Sequence, residues 1–401
     1  MRYNIKCKET SEFLGSDIKI TSELKMPEER FGFENSLNEH RNKIDLIDTD
    51  IWKKVRWYIN EYDFLVKDPI INRAFYKYWE IINEFNIFEN YTESDLIFHC
   101  AEAPGGFIQG SNIFLQLDNR VTVKPAEPTV DADGFKMVKK RSKAPKDYKI
   151  YTISLNRELP QYRAYNLPSY NKTILNKHIA IVYGKDNTGD INNLENIDSI
   201  NNKFYLITAD GGFDEGNDFN NKEQLHYFLI LNEIYSAIAL QKRGGAFVLK
   251  VFDIFTETSI HLLFLLNSMY EHIYVYKPKT SRPTNSEKYI ICKNLSISEE
   301  ALETIQQALK QLSKTLKNKR MKYATFTLFK TIPESFVERI REMNSAFVKI
   351  QCEFLGKAIT YCENEEFIKN YDQELSRSVE KRKSVFKEWE RMYHLDSYIP
   401  S

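Results

Sequence analysis

Between residues 96 and 292, short apolar runs alternate with longer amphipathic stretches, and this alternation limits the fold more than any other feature. Residues 96–100, 148–155, 204–209, 246–252, 272–276 and 288–292 read as strands, alternating or continuously apolar and bounded by turn residues. The stretches 222–241 and 256–270 between them read as helices. Strands separated by helices of that length predict an α/β fold, with a mostly parallel sheet covered by helices on both faces. Ligands of such sheets bind outside the carboxyl ends of the strands, so residues just after strands carry the most interest.

The flanks read differently. Residues 1–49 are polar with few periodic apolar positions and suggest an N-terminal arm or subdomain without an activity of its own. From Asp48 the pattern is helical: Ile51, Val55 and Tyr58 share one face, and Ile71, Phe75, Tyr78, Trp79 and Ile82 follow on a second helix. After residue 296, Ser298 with Glu299 and Glu300 makes a helix start. Leu302, Ile305, Leu309, Leu312 and Leu316 then recur at three- and four-residue spacing. Phe336, Ile340, Met343, Phe347, Ile350 and Phe354 repeat the pattern ahead of a charged tail with Phe386 and Trp389. The expected division is therefore an arm at 1–49, an α/β domain at 50–296 and a helical C-terminal region at 297–401. The C-terminal stripe lacks strict heptads and is expected to pack on the core or within itself.

Composition removes several classes. With 401 residues and 42% hydrophobic content the chain can build a full core, which excludes disorder as a description of the whole. Lys+Arg and Asp+Glu balance at 56 each, so any nucleic-acid surface must come from local clustering of charge. The longest apolar runs fall well short of the roughly 20 residues that span a bilayer, and no membrane contact is expected. The first residues, MRYNIKCKETSEF, have no signal-peptide core, which points to an intracellular protein of cytoplasm or nucleus. Cys7, Cys100, Cys292, Cys352 and Cys362 form no CxxC and read as reduced thiols. His99, His178 and His226 show no metal spacing, so no catalytic metal is expected.

HCAEAPGGFIQG, residues 99–110, places an acid, a proline and two glycines between a strand and a helix. Glycines there let the backbone approach a ligand, and a helix amino terminus offers unpaired N–H donors. The spacing is not GxGxxG, and a tight strand-to-helix turn would use the same residues. Four further segments add chemistry. NRAFYKYWEI carries Lys77, TADGGFD carries Asp210 at a strand end, GGAFVLKVFD carries Lys250 at the end of the next strand, and SRPTNSEKYIIC carries Glu287 at the start of the last. Singly, each such charge is more often a solvated side chain or a surface ion pair. In one sheet, they are delivered towards one end.

In this order the segments resemble the FtsJ-like family of S-adenosylmethionine-dependent RNA 2'-O-methyltransferases, with its Lys-Asp-Lys-Glu tetrad. Within it they are most similar to the adrift-type cap-specific mRNA ribose methyltransferases, a group that includes enzymes of large DNA viruses. EAPGGFI, DNTGDI, TADGGFD, GGAFVLKVFD and NSEKYIIC carry the likeness, over about residues 50–295. The resemblance implies a Rossmann-like methyltransferase fold with a mostly parallel seven-stranded sheet, S-adenosyl-L-methionine as methyl donor, and a ribose 2'-oxygen near the 5' cap of mRNA as acceptor. It implies Lys77, Asp210, Lys250 and Glu287 as catalytic residues. It also implies Glu102, Ala103, Pro104, Gly105, Gly106 and Phe107 as the loop around the methionyl part, with Asp190 on the adenine side and Asp210 touching donor and acceptor.

Physical chemistry gives these roles content. In-line displacement at a sulfonium methyl needs the hydroxyl aligned behind the carbon and relieved of its proton as the bond forms. Lys250 is expected to be that base or to orient the hydroxyl, with Lys77 as neighbouring cation and the two carboxylates holding the pair. A nearby ammonium lowers a lysine pKa and nearby carboxylates raise it, so sequence alone leaves the sign of the Lys250 shift open. The basic run at 134–149 suggests RNA phosphate contacts through Lys139, Lys140, Arg141 and Lys143, with Arg282 as a further candidate and a solvated loop as the plain alternative. Phe107, Tyr162, Tyr165 and Tyr170 are aromatic residues able to stack on a base or to serve as scaffold. Ribosomal or transfer RNA ribose methylation and an inactive RNA-binding subunit are the alternatives.

Overall fold

The computed structural model describes residues 1–63, 68–92, 94–117, 148–213 and 219–397. Its strands are β1 (Arg2–Asn4), β2 (Lys19–Thr21), β3 (Leu96–Cys100), β4 (Lys149–Ile153), β5 (Ile179–Val182), β6 (Phe204–Ala209), β7 (Gln241–Val251), β8 (Tyr270–Tyr276), β9 (Lys288–Leu295) and β10 (Thr325–Thr327). Its α-helices are α1 (Asn35–Asp45), α2 (Thr49–Ile59), α3 (Arg73–Glu84), α4 (Gly106–Leu117), α5 (Leu194–Asp198) and α6 (Lys222–Leu225). They continue with α7 (Tyr227–Leu240), α8 (Glu257–Met269), α9 (Glu299–Lys319), α10 (Glu334–Glu363), α11 (Glu365–Lys369) and α12 (Tyr371–Met392). Among the described residues, no helix is long and apolar enough to cross a membrane.

The main sheet runs β1-β8-β9-β7-β6-β3-β4-β5. Among the described residues it has eight strands, one more than expected, because Arg2–Asn4 pairs antiparallel with β8 at the edge, Tyr3 opposite Val275. Neighbours from β5 through β7 are parallel, and β9 is antiparallel to both β7 and β8. The chain moves outward from β3 through β4 to β5 and then returns to lay β6 on the other side of β3. The order reverses there, and crevices at such switch points bind ligands. The antiparallel register sets Lys250 opposite Tyr289 and Val251 opposite Lys288, which brings Glu287 to the carboxyl end of β7.

Alternation along β7 divides the core into two layers. Phe247 and Leu249 face α7, α8 and the C-terminal helices, through Leu231, Leu263, Leu309, Leu312, Ile340 and Met343. Ala246 and Val248 face the α3–α4 layer, where Phe75, Trp79 and Phe107 meet Phe386 and Trp389 of α12. The C-terminal stripe thus packs on the core, and it covers both faces of the sheet. Glu80 of α3 is fully buried and anchors the α12 side. It accepts from Trp389 Nε1 at 3.0 Å, Tyr276 Oη at 2.5 Å and the Lys279 N–H at 2.7 Å. Leu37 of α1 packs with Val348 and Leu355 of α10, and Val55 of α2 packs with Ala358. Residues of α1, α2 and α10 thereby reach the cleft at the carboxyl end of the sheet.

Candidate active site

Two ion pairs meet at that end. Asn72 caps α3 by accepting the Ala74 N–H at 3.0 Å, and Lys77 follows on the same helix. Lys77 Nζ lies 2.7 Å from Glu287 Oε1, which also accepts the Ser281 hydroxyl at 3.1 Å. Lys250 Nζ donates to the main-chain oxygen of Asp210 at 2.7 Å and lies 3.3 Å from its Oδ1. The same Oδ1 accepts from the buried Tyr289 hydroxyl at 3.1 Å. The structure thus brings all four residues of the expected tetrad together.

The charge states follow from burial and neighbours. Burial opposes the Glu287 anion, but Lys77 and Lys250 outweigh it and hold the pKa at about 2. Burial likewise opposes the Lys250 ammonium, yet Asp210, Glu287 and Glu233 outweigh it and leave the pKa above that of an ordinary lysine. The sign that sequence left open is therefore positive, and Lys250 rests as the ammonium. Lys277, half-buried, is brought down to about 7 by desolvation and by Lys288. It donates to the Asn285 main-chain oxygen, Asn285 Oδ1 and the Glu287 main-chain oxygen at 2.8, 2.9 and 2.9 Å, fixing the strand start that carries Glu287.

The loop after β3 is shaped by backbone demands. Ala101 and Gly105 have φ of 55° and 112°, and a Cβ on Gly105 would sit 2.3 Å from Ile174 Cδ1. A Cβ on Gly106 would meet Asn72 Oδ1 at 2.2 Å and the Phe75 nitrogen at 2.8 Å, so this glycine is required by the close approach of α3. Ala101 and Ala103 line the cleft. Glu102 turns inward instead: it is buried and accepts the Thr208 hydroxyl at 2.7 Å, with burial and Asp210 raising its pKa well above the usual carboxylate range. Thr208 Oγ1 also lies 2.7 Å from His99 Nδ1, and His99 Nε2 lies 3.1 Å from Ser111 Oγ. Burial pushes His99 down to about 3, which makes it a neutral core histidine.

Two of the expected residues are engaged within the protein itself. The Phe107 side chain is fully buried and stacks on Tyr78 at 4.6 Å between centroids, so its ring belongs to the core and offers a ligand no face. The Arg282 guanidinium is held by Asp63, Nε at 3.0 Å and Nη2 at 3.2 Å, and so is not a free phosphate contact. Asp190 stands apart from the tetrad: it is half-buried, its Oδ1 accepts the Asn192 N–H at 2.9 Å, and the cleft wall nearest its loop is made by Ser154 and Leu155. Lys139, Lys140, Arg141 and Lys143 lie outside the described residues.

A cleft of about 1190 Å³ opens over Asp210, Lys250 and Glu287. Arg41, Trp52 and Arg56 of the first two helices and Gln351 and Leu355 of α10 wall one side. Arg41 is paired with Asp253 at 2.9 Å, and Gln351 Nε2 donates to the Thr284 main-chain oxygen at 3.1 Å. Sequence reading missed this wall, together with Tyr289, Glu233 and Lys277. Only Tyr289 had a local signal, in strand alternation that faces it towards the core side of Lys250.

A model of the FtsJ-like methyltransferase family matches residues 70–295, more than half of the chain. The chain belongs to the FtsJ-like methyltransferase family. It is 27% identical over 349 residues to the mouse protein named cap-specific mRNA (nucleoside-2'-O-)-methyltransferase 2, covering 82% of this chain and 41% of that protein. Caenorhabditis briggsae contributes two relatives. Cap-specific mRNA (nucleoside-2'-O-)-methyltransferase 1A is 32% identical over 200 residues, 46% of this chain and 22% of its own. A protein named inactive cap-specific mRNA (nucleoside-2'-O-)-methyltransferase 1B is 30% identical over 199 residues, 46% and 23%. The chain thus spans less than half the length of these curated relatives. Similarity of this degree reaches active and inactive members of the family alike, so the residues at the cleft have to decide between them.

Proposed function

We propose that this FtsJ-like chain transfers a methyl group from S-adenosyl-L-methionine to a ribose 2'-oxygen near the 5' cap of mRNA. The observation that carries the reading is the complete pair of ion pairs, Lys77–Glu287 and Lys250–Asp210, of which Asp210, Lys250 and Glu287 line one cleft at the carboxyl end of the sheet. An inactive scaffold has no need to keep two lysines and two carboxylates at this depth, where desolvation costs each charge several kcal/mol. The names of the relatives support capped mRNA as the acceptor, in nucleus or cytoplasm.

The residues fit the donor. Ala101 and Ala103 line the cleft with small side chains, together with Asp210, and the first turn of α4 presents N–H groups without intrahelical acceptors, suited to a carboxylate. When bound, the donor supplies an electrophilic sulfonium methyl and a positive charge that opposes the Lys250 ammonium. Lys250, held by two bonds to Asp210, orients the ribose oxygen; its ammonium first gives a proton to solvent water in the open cleft, and the neutral amine then takes the hydroxyl proton. Lys77 and Glu287 fix the far side of the site. Asp210 links the two halves, since its carboxylate faces Lys250 while its loop borders Ala101.

The test is mass spectrometry of nucleosides released from a short capped RNA after incubation with protein and donor. One new 2'-O-methylated nucleotide next to the cap is expected. Equal activity on uncapped structured RNA would move the assignment to ribosomal or transfer RNA, and RNA binding without turnover would make the chain an inactive subunit.

A further inference from the structure

Beside the cleft, two arginines share one carboxylate, and a third arginine lines the cleft itself. Arg73 and Arg282 both pair with Asp63, which is 9% exposed, and Arg73 also donates to the Thr280 main-chain oxygen at 2.8 Å. Arg56, on the inner face of α2, lines the same cleft as Asp210, Lys250 and Glu287. It is half-buried and makes no hydrogen bond or ion pair with any of the described residues. Its neighbour in charge is Arg282, so burial and repulsion both weigh on it and lower its pKa. Arg73 is brought down to about 10 for the same reasons, burial first and Arg282 next.

A guanidinium withdrawn from water beside other guanidiniums is costly unless an anion completes the set. Arg cannot shed its proton at physiological pH, so the cost stays until a counter-charge arrives. Asp63 is already shared by two arginines. Arg56 lines the same cleft as Asp210, Lys250 and Glu287, so an acidic group bound to it occupies the cavity that the tetrad opens into.

We propose that Arg56 binds a phosphate group of the RNA, next to the nucleotide whose ribose lies at Lys250, with Arg73 and Arg282 as the fixed charge behind it. The proposal rests on the reading of the cleft as an RNA ribose methylation site. It assigns part of that site to a helix outside residues 70–295, the stretch matched by the family model. The planar fork of arginine suits two phosphate oxygens at once. A phosphodiester of the chain and the polyphosphate of the cap present the same oxygens, and the two are separated by the choice of RNA.

The experiment compares the full chain with Arg56→Ala and Arg56→Lys, by fluorescence anisotropy on a capped oligonucleotide and on the same oligonucleotide with a 5'-hydroxyl, across a salt series. Donor affinity by calorimetry and thermal unfolding are measured in parallel. Arg56→Ala is expected to weaken RNA binding about five- to tenfold and to flatten the log–log salt slope by about 0.7, the value for one single-strand phosphate contact. Donor affinity stays as in the parent and Tm is not lowered, because a repelled charge has been removed. Arg56→Lys keeps the slope and recovers part of the affinity. A loss on both RNAs places the phosphodiester at Arg56, and a loss on the capped RNA alone places the cap polyphosphate there. Parallel salt lines of equal height for parent and Arg56→Ala, with the parent still methylating RNA, would overturn this proposal and leave the function standing. A parent that neither binds nor methylates either RNA overturns both. A lowered Tm with lost donor binding in both variants would show a structural arginine and refute the phosphate site.

Discussion

Glu233 of α7 accepts the Gly211 N–H at 3.0 Å from beneath the loop that carries Asp210. A Cβ at Gly211 would stand 2.3 Å from the same oxygen, so loop and helix are in direct contact there. The carboxyl is fully buried and its Oε2 has no partner among the described residues. Burial raises its pKa to about 8, against the pull of Lys250. Asp210 is thus aimed at Lys250 by a group that is itself poorly satisfied.

The stability consequence has a definite sign. Glu233 ionises near 4.5 in the unfolded chain and near 8 when folded, so its contribution is full below pH 4.5 and is lost as pH rises to about 8. Glu287, held at about 2, contributes above pH 4.5 and fades as pH falls towards 2. The windows do not overlap. Glu233→Gln keeps the acceptor for Gly211 and cannot ionise, so its Tm relative to the parent should climb from near zero at pH 5 to a clear gain at pH 8. The gain is on the order of a few kcal/mol at most. A pH-independent difference between the two melting curves would rule out a buried, high-pKa carboxyl at this position.

Lys250→Ala should lower methyl transfer by roughly 10² to 10⁴, the usual worth of a positioned proton-transfer group. Donor affinity should change little, since Lys250 is bonded to Asp210 and faces the acceptor side. Single-turnover rates with calorimetric donor binding give both numbers. Activity within tenfold of the parent would remove Lys250 from the reaction.

Gly106→Val separates two readings of the donor loop. As a residue against the donor, it would change affinity and leave the fold alone. In the structure its missing Cβ is filled by Asn72 and Phe75 at the start of α3, the helix that carries Lys77. The variant should therefore lower Tm, with a cost of about 1 to 3 kcal/mol typical of overpacking, and donor affinity should fall with it. Weakened donor binding at an unchanged Tm would restore the loop-only account.

What was legible before the structure follows from where information sits in a chain. Lys77, Asp210, Lys250 and Glu287 could be assembled because each stands beside a strand or helix with a clear apolar pattern, and parallel strands deliver their ends to one side. Three-residue β1 and four-residue β5 gave too few positions for a period of two to show. Glu102 and Phe107 sit in the right motif, but which way a side chain turns depends on Thr208 and Tyr78, far off in sequence. The wall of Arg56, Gln351 and Leu355 is built by helices nearly 300 residues apart, and no spacing rule joins them. Arg282 looked free because Asp63 is distant in the chain.

Tyr289→Phe tests how finely Asp210 must be held. The ring is fully buried and packs near Phe107, so deleting one oxygen leaves the packing unchanged and creates no cavity to speak of. What is lost is the 3.1 Å hydrogen bond to Asp210 Oδ1. A hydrogen bond to a charged group is worth about 1.5 to 3 kcal/mol, and part of this returns because no buried donor is stranded. Stability should fall by about 1 kcal/mol or less. The larger effect belongs in turnover: with one restraint gone, the carboxylate can rotate away from Lys250, and kcat should drop about three- to tenfold while the RNA and donor KM values hold. Steady-state kinetics on the capped RNA resolve this split, and a change confined to KM would mean that Tyr289 serves binding and leaves the alignment of Asp210 to Glu233 alone.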